Sequence, residues 1–97
     1  MKESTVMSRL GRVVDARNYQ NKLHQIVIEF TNAKVLRVDD SIIAVSFKTG
    51  SRRTFIGEDW DLSPRTLFAV SEWTGYMKDR MYINERIKAK DVTVMTA

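Results

Sequence analysis

A helix with clear boundaries near residue 63 divides this chain into two unlike parts. Ser63 can cap a helix N-terminus, because its hydroxyl can accept a hydrogen bond from a backbone amide two or three residues later. Pro64 suits the first helical position, where a missing amide hydrogen is not needed, and Gly75 is typical of the residue that ends a helix. The sequence therefore predicts a helix over 63–74.

The residues before this helix have the composition and alternation of a sheet. Residues 25–30 are rich in β-branched and aromatic side chains, and Ile26, Ile28 and Phe30 share a face. Other strands are predicted over about 11–17, 35–38, 42–47 and 52–56, and their short connections favour neighbouring antiparallel strands. Beyond Gly75, apolar residues at helical spacing predict a second helix over about 77–88. Residues 91–95 alternate and are typical of a short strand at a sheet edge.

We therefore expect a single α+β domain over 1–97. It would be an antiparallel meander of four or five strands with helix 63–74 packed on it, a second helix over 77–88 and a short C-terminal strand. A small open barrel is the alternative, since short meandering strands can curl closed. Trp60 and Trp73 are expected in the core, with Trp60 wedged between the start of the helix and the sheet.

Composition excludes several classes of protein. The chain has no cysteine, which excludes a disulfide framework, a thiolate metal site and a thiol nucleophile. No apolar run approaches the ~18 residues of a membrane span, and the N-terminal residues lack the apolar stretch of a signal peptide. We expect an intracellular, soluble protein that does not associate with a membrane.

No group of residues predicts catalysis or a bound cofactor. His24 is the only histidine, so neither a histidine metal site nor a histidine acid–base pair is supported. Ser63 lacks the surroundings of a serine nucleophile and is better explained as a cap. We therefore expect no enzyme, no metal and no cofactor. The acidic residues that could hold a divalent ion fit a bend or the positive end of the helix dipole: Asp39, Asp40, Glu58, Asp59 and Asp61.

The predicted helix has a second side that suggests a binding surface. At about 100° per residue, Thr66, Ala69 and Val70 fall on the side expected against the sheet. Phe68 falls nearly opposite. It would either be covered by the C-terminal segment or serve as an exposed aromatic anchor for a protein partner. Neighbouring residues complete this candidate partner-binding set: Arg65, Glu72 and Tyr76.

Basic residues provide a second candidate surface. The net charge is +4, and the excess is spread along the chain. Adjacent strands could gather several basic side chains onto one sheet face, where charge and aromatic stacking would bind single-stranded nucleic acid. The alternative is an ordinary solvated face. The residues that would form this surface are Arg12, Lys34, Arg37, Arg52 and Arg53.

The run from Thr54 to Thr66, followed by Trp73-Thr74-Gly75, resembles a group of small uncharacterised proteins from bacteriophages and prophages. In that group an apolar strand ends near a glycine, a tryptophan or tyrosine, an aspartate, a serine and threonines follow, and a glycine closes the helix. The chain departs from the group at Leu62, where tyrosine is usual, at Arg65, where threonine is frequent, and at Trp73-Thr74, where the group has phenylalanine-leucine. The resemblance implies a small sheet with helices and a viral origin. It implies no activity and no catalytic residue.

These observations lead to two hypotheses of function. The first is a non-enzymatic phage accessory protein that binds a host or viral protein in the host cytoplasm, one form of which would be an inhibitor of a host system. The second is a nucleic-acid-binding protein that uses the basic sheet face. A homo-oligomer is compatible with both, because edge strands and a spare helix face need cover.

Overall fold

A computed structural model of the protein describes residues 1–19, 24–50, 54–75 and 80–96. Its strands are β1 Val13–Asn18, β2 Gln25–Phe30, β3 Ala33–Val38, β4 Ser41–Phe47, β5 Thr54–Gly57 and β6 Thr93–Met95. Its helices are α1 Glu3–Met7, α2 Pro64–Thr74 and α3 Arg80–Lys88.

The six strands form one sheet in the order β1-β2-β3-β4-β5-β6. The first five make the predicted antiparallel meander. Because α2 and α3 lie between β5 and β6 in the chain, β6 returns in the same direction and pairs parallel to β5. The predicted α+β class is confirmed. The sheet is open, with β1 and β6 at opposite edges, so the barrel alternative is wrong.

The helix α2 confirms the boundaries expected from its sequence. The Ser63 hydroxyl accepts a hydrogen bond from the Thr66 amide at 3.3 Å, and the Thr66 hydroxyl accepts one from the Ser63 amide at 3.0 Å. Gly75 ends the helix with φ +76°, a conformation that costs glycine little. The second predicted helix is observed as α3, whose predicted first positions 77–79 lie outside the described residues.

Apolar side chains fill both faces of the sheet. We call the face covered by α2 and α3 the α2 face and the opposite one, covered by α1, the α1 face. The α2 face buries the larger cluster, namely Val27, Leu36, Val38, Ile43, Ala44, Ile56, Trp60, Ala69, Val70, Ile83 and Val92. The α1 face buries Val6, Leu10, Ala33, Val35, Val45, Phe55 and Met95.

The segment between α1 and β1 is tied to the β2–β3 turn. The Asn32 amide donates to the Leu10 carbonyl at 3.0 Å, and the Thr31 amide donates to the Arg12 carbonyl at 2.9 Å. Gly11 lies between these contacts with φ +86°, and a Cβ there would collide with the Thr31 hydroxyl. The first strand was predicted to begin at residue 11, but it begins at Val13 because this turn precedes it.

The two edges of the sheet differ in what lies next to them. At the β6 edge, the Glu3 amide donates to the Thr96 carbonyl at 2.7 Å and the Thr96 amide donates to the Met1 carbonyl at 2.9 Å. Lys2 thereby forms a parallel bridge with Thr96, the residue that follows β6. The opposite edge is β1, whose six residues are all exposed. Such an edge carries backbone groups that can pair with another strand.

Candidate functional site

The residues of the predicted helix patch differ in exposure and in the groups they contact. Arg65 is exposed, and its Nη1 lies 3.3 Å from Asp39 Oδ2 in the β3–β4 turn. Phe68 is half-buried on α2. Glu72 is half-buried too, and its Oε2 is buried without a hydrogen-bond partner in the described part of the chain. Tyr76 lies outside the described residues. Arg65, Phe68 and Glu72 lie on successive turns of α2, and partner binding there stays a prediction.

The predicted basic face is not formed by the residues that the structure describes. Lys34 and Arg37 are three positions apart on β3, and their pairing with β2 is regular between them. Their side chains therefore lie on opposite faces of the sheet, so the expectation that they share a face is wrong. Arg12 is exposed just before β1. Arg52 and Arg53 lie outside the described residues.

Burial on the α1 face decreases from the centre of the sheet toward β1. Val35 and Val45, on the central strands β3 and β4, are completely buried. Ile28 and Phe30, on β2, are half-buried and pack against the edge of that core. Val13 on β1 has 63% of its surface exposed. The helix α1 therefore closes the centre of this face, while the part formed by β1 and β2 stays accessible among the described residues.

Cross-strand pairing brings the apolar side chains of this accessible part together. Val13 lies opposite Phe30, and Ala16 lies opposite Ile28. Directly paired residues of antiparallel strands point to the same face and have Cβ atoms in contact range. We name this surface the β1–β2 strip. It consists of Val13, Ala16, Ile26, Ile28 and Phe30.

Two arginines flank the β1–β2 strip. Arg12 directly precedes Val13 at one end, and Arg37 lies opposite Ile26 at the other. Neither arginine forms an ion pair with any residue in the described ranges, and the Nε atom of Arg37 is buried there without a hydrogen-bond partner. Guanidinium groups form strong, directional bonds with carboxylates. The arrangement can therefore hold apolar side chains that have carboxylates beside them.

The α2 face carries a different arrangement next to β1. Glu29 lies 3.0 Å from the Lys48 ammonium and 3.8 Å from the Arg17 guanidinium, which also pairs with Asp15 at 2.9 Å. The hydrogen bond from Lys48 is the largest cause that lowers the pKa of Glu29, followed by the charge of Lys48 and the smaller effects of Lys34 and Arg17. Lys48 and Arg17 are thus already paired with carboxylates.

The pKa of Glu29 should depend on Lys48. Replacing Lys48→Ala removes the hydrogen bond and the charge, so we expect the pKa of Glu29 to rise toward its ordinary value. Because folding lowers this pKa, the pairing stabilises the fold above the ordinary glutamate pKa, and that stabilisation is lost as the pH falls through the native pKa. An NMR titration of the Glu29 carboxyl measures the change. Lys34→Ala is the control with a smaller expected effect, and an unchanged pKa in Lys48→Ala would contradict the assignment.

An aromatic pair closes the α2-face core near the end of α2. Tyr19 and Trp73 meet edge to face with ring centroids 5.5 Å apart, and the Trp73 indole donates to the Ser46 hydroxyl at 2.8 Å. Burial is the main cause that raises the pKa of Tyr19, and the Glu72 charge adds to it. Both rings are half-buried and held by these contacts, so they belong to the margin of the core.

Two open cavities lie at opposite ends of the strands. One, of about 410 Å³, is lined by acidic side chains that include Glu3, Asp40, Glu58 and Asp59. The described ranges nevertheless contain no group of three or more His, Cys, Asp or Glu residues able to hold a metal ion.

The other cavity, of about 520 Å³, has an aromatic floor. Phe47 and Phe55 meet edge to face at 5.7 Å, and the Arg9 guanidinium lies 5.0 Å from the Phe47 ring centroid. The cation and the rings thus already contact one another.

The sequence contained part of the signal for the β1–β2 strip. The shared face of Ile26, Ile28 and Phe30 was visible as period-two alternation. Its partial exposure was not visible, since it depends on how far α1 reaches across the sheet.

Across the described residues, no helix combines the length and apolar character that crossing a membrane requires.

Comparison with known proteins shows no relationship of this chain to a family or to another protein. No protein-family model, no curated protein and no solved structure matches the chain.

Proposed function

We propose that this chain is a non-enzymatic phage accessory protein that binds a host or viral protein through the β1–β2 strip. The observation that supports this most is the 63% exposure of Val13 beside the half-buried Phe30, on a face whose centre is closed by α1. Clustered apolar surface with a polar rim is typical of protein interaction sites. The phage setting comes from the sequence resemblance, and the site of action would be the host cytoplasm.

The partner would present apolar side chains flanked by carboxylates. Phe30 offers an aromatic surface of the type that is enriched at binding hot spots, and Val13 extends it toward the edge of the sheet. Arg12 and Arg37 lie at the two ends and have no described ionic partner, so acidic groups there would gain charge-assisted hydrogen bonds. Blocking a host enzyme or a host defence would be one consequence of such binding.

Two exposed positions test this surface. Val13→Asp places a carboxylate on the strip, and Arg12→Glu reverses a flanking charge. Because both residues are exposed, folding should be unaffected. We expect each variant to bind the partner about tenfold more weakly than the wild type does, the equivalent of about 1.4 kcal/mol. The tagged full-length chain would capture the partner from nuclease-treated lysate of a bacterial host, and titration with the purified partner would give the affinities.

Leu62→Asp is the matched control, since Leu62 is 74% exposed and lies beside the start of α2. It should bind the partner as tightly as the wild type. Unchanged affinity of both Val13→Asp and Arg12→Glu would refute the assignment of the strip. A loss of affinity in Phe68→Ser alone would instead favour the predicted helix patch.

Nucleic-acid binding is the alternative function. Its support is that Arg12, Lys34 and Lys48 lie near the same end of the sheet, where the β2–β3 turn and the end of β4 are hydrogen-bonded. Its support is reduced because Lys48 is paired with Glu29. Material that is captured only without nuclease, together with an affinity for a single-stranded oligonucleotide that falls steeply with salt, would favour this alternative.

A further inference from the structure

We propose that two copies of this chain pair edge to edge through β1 and form one continuous sheet of twelve strands, six from each copy. This pairing uses the outer backbone edge of β1, whereas the partner of the proposed function lies on the α1 face. The two inferences are therefore independent. A second copy on the edge would place the two β1–β2 strips side by side.

The open edge of β1 is the first observation. At the β6 side, Lys2 of the same chain forms a bridge with Thr96, the residue that follows β6. Among the described strands, none pairs with the outer edge of β1, and the six residues of β1 are all exposed. The outer edge of β1 can thus accept a strand.

The charge sequence of β1 fits an antiparallel copy of itself. If Ala16 lies on the two-fold axis, Asp15 of each copy lies opposite Arg17 of the second copy. Opposite charges on directly paired residues stabilise antiparallel strands, and like charges destabilise them. Moving the axis to Asp15 would place two aspartates opposite each other, and moving it to Arg17 would do the same with two arginines. The charges therefore select the register centred on Ala16.

The geometry of β1 favours this register as well. Asp15 and Arg17 already approach to 2.9 Å within the strand, and their side chains are 53% and 49% exposed, so each can turn to a neighbour without losing buried contacts. Ala16, between them, would lie opposite its own copy and carries no charge that would oppose this pairing. The irregular pairing between Val13 and Asp15 limits the regular ladder to the residues that follow.

The assembly stops at two copies. Each β1 has one outer edge and can pair once, so an interface between two β1 strands is isologous and closed. Charged residues on an edge strand oppose unspecific pairing. In this chain the charges would permit the register centred on Ala16 and disfavour the neighbouring registers. The copies would therefore form a dimer and not an aggregate.

Charge exchange tests the pairing in the full-length chain. We expect the wild type to be a dimer by sedimentation velocity and by light scattering after size exclusion. Arg17→Asp and Asp15→Arg should each be monomeric, because each places like charges opposite each other. A mixture of these two variants should form a heterodimer, and the double variant Asp15→Arg/Arg17→Asp should dimerise again. Circular dichroism would verify that every variant is folded.

Arg65→Asp is the matched control, since it reverses an exposed arginine on α2 and should leave the dimer intact. A wild type that stays monomeric at all concentrations would overturn the proposal. So would single variants that dimerise like the wild type, or a mixture in which no heterodimer forms. Capture of a partner that depends on Val13 would stand in any of these cases, because Val13 lies outside the paired segment.

Discussion

Trp60→Ala is expected to lower the free energy of unfolding by about 3–5 kcal/mol. Trp60 is only 5% exposed and belongs to the α2-face core, which also contains Ile56 of β5 and Ala69 of α2. Its backbone amide donates to the Gly57 carbonyl at 3.2 Å, which fixes the turn that leads from the sheet to the helix. Removing the indole would leave a cavity at the junction of these elements, and the backbone turn would prevent its complete collapse.

Chemical denaturation followed by circular dichroism measures this loss. Leu62→Ala is the control, because Leu62 is only two positions away but 74% exposed. Its free energy of unfolding should stay within about 0.5 kcal/mol of the wild type. If Trp60→Ala cost no more than Leu62→Ala, Trp60 would not be part of the core that joins β5 to α2.

The elements predicted best are those whose signals are local. Ser63, Pro64 and Gly75 determine the ends of α2 through contacts within a few residues, and these positions are observed as predicted. The meander was equally predictable, because its strands alternate clearly and the connections between them are short. Trp60 was expected in the core and is buried there. Such inferences depend on the backbone and on neighbouring residues, so a single sequence is sufficient for them.

The contacts of the predicted surface residues depend partly on distant parts of the chain. The bond between Arg65 and Asp39 joins residues 26 positions apart, and no local signal announces it. The opposite faces of Lys34 and Arg37, in contrast, follow from their odd spacing in one strand, so that separation could have been deduced from the sequence. Surfaces formed by several strands require the register, and the register is fixed by the whole sheet.

The position of the N-terminal segment was also hidden from the sequence. Residues 1–3 contact Thr96, more than 90 positions later in the chain, and no local pattern predicts this. The helix α1 follows directly and leaves the β1–β2 strip uncovered. The surface of the proposed function thus depends on where the N-terminal segment lies, which is a property of the tertiary structure.

Gly57→Ala is expected to lower the free energy of unfolding by about 1–3 kcal/mol. A Cβ at Gly57 would lie 2.5 Å from the backbone carbonyl oxygen of Ile42 and 3.6 Å from the Cα of Ile43. These are backbone atoms of β4, beside the irregular pairing of β3 with β4, so they cannot move aside as the end of a flexible side chain would. Gly57 also pairs with Met95 of β6, and displacing it would disturb the parallel pairing of β5 with β6.

Gly50→Ala separates steric conflict from backbone strain. Gly50 has φ +103°, and no atom of the described residues lies within 4 Å of an added Cβ, so we expect its substitution to cost the left-handed conformation, about 1–2 kcal/mol. At Gly57 the φ is not in that region, and the expected loss comes from the contact with Ile42. Amide hydrogen exchange would distinguish the two, since Gly57→Ala should reduce protection in β4, β5 and β6, whereas Gly50→Ala should not. Wild-type stability and protection in Gly57→Ala would show that β4 and β5 do not approach so closely.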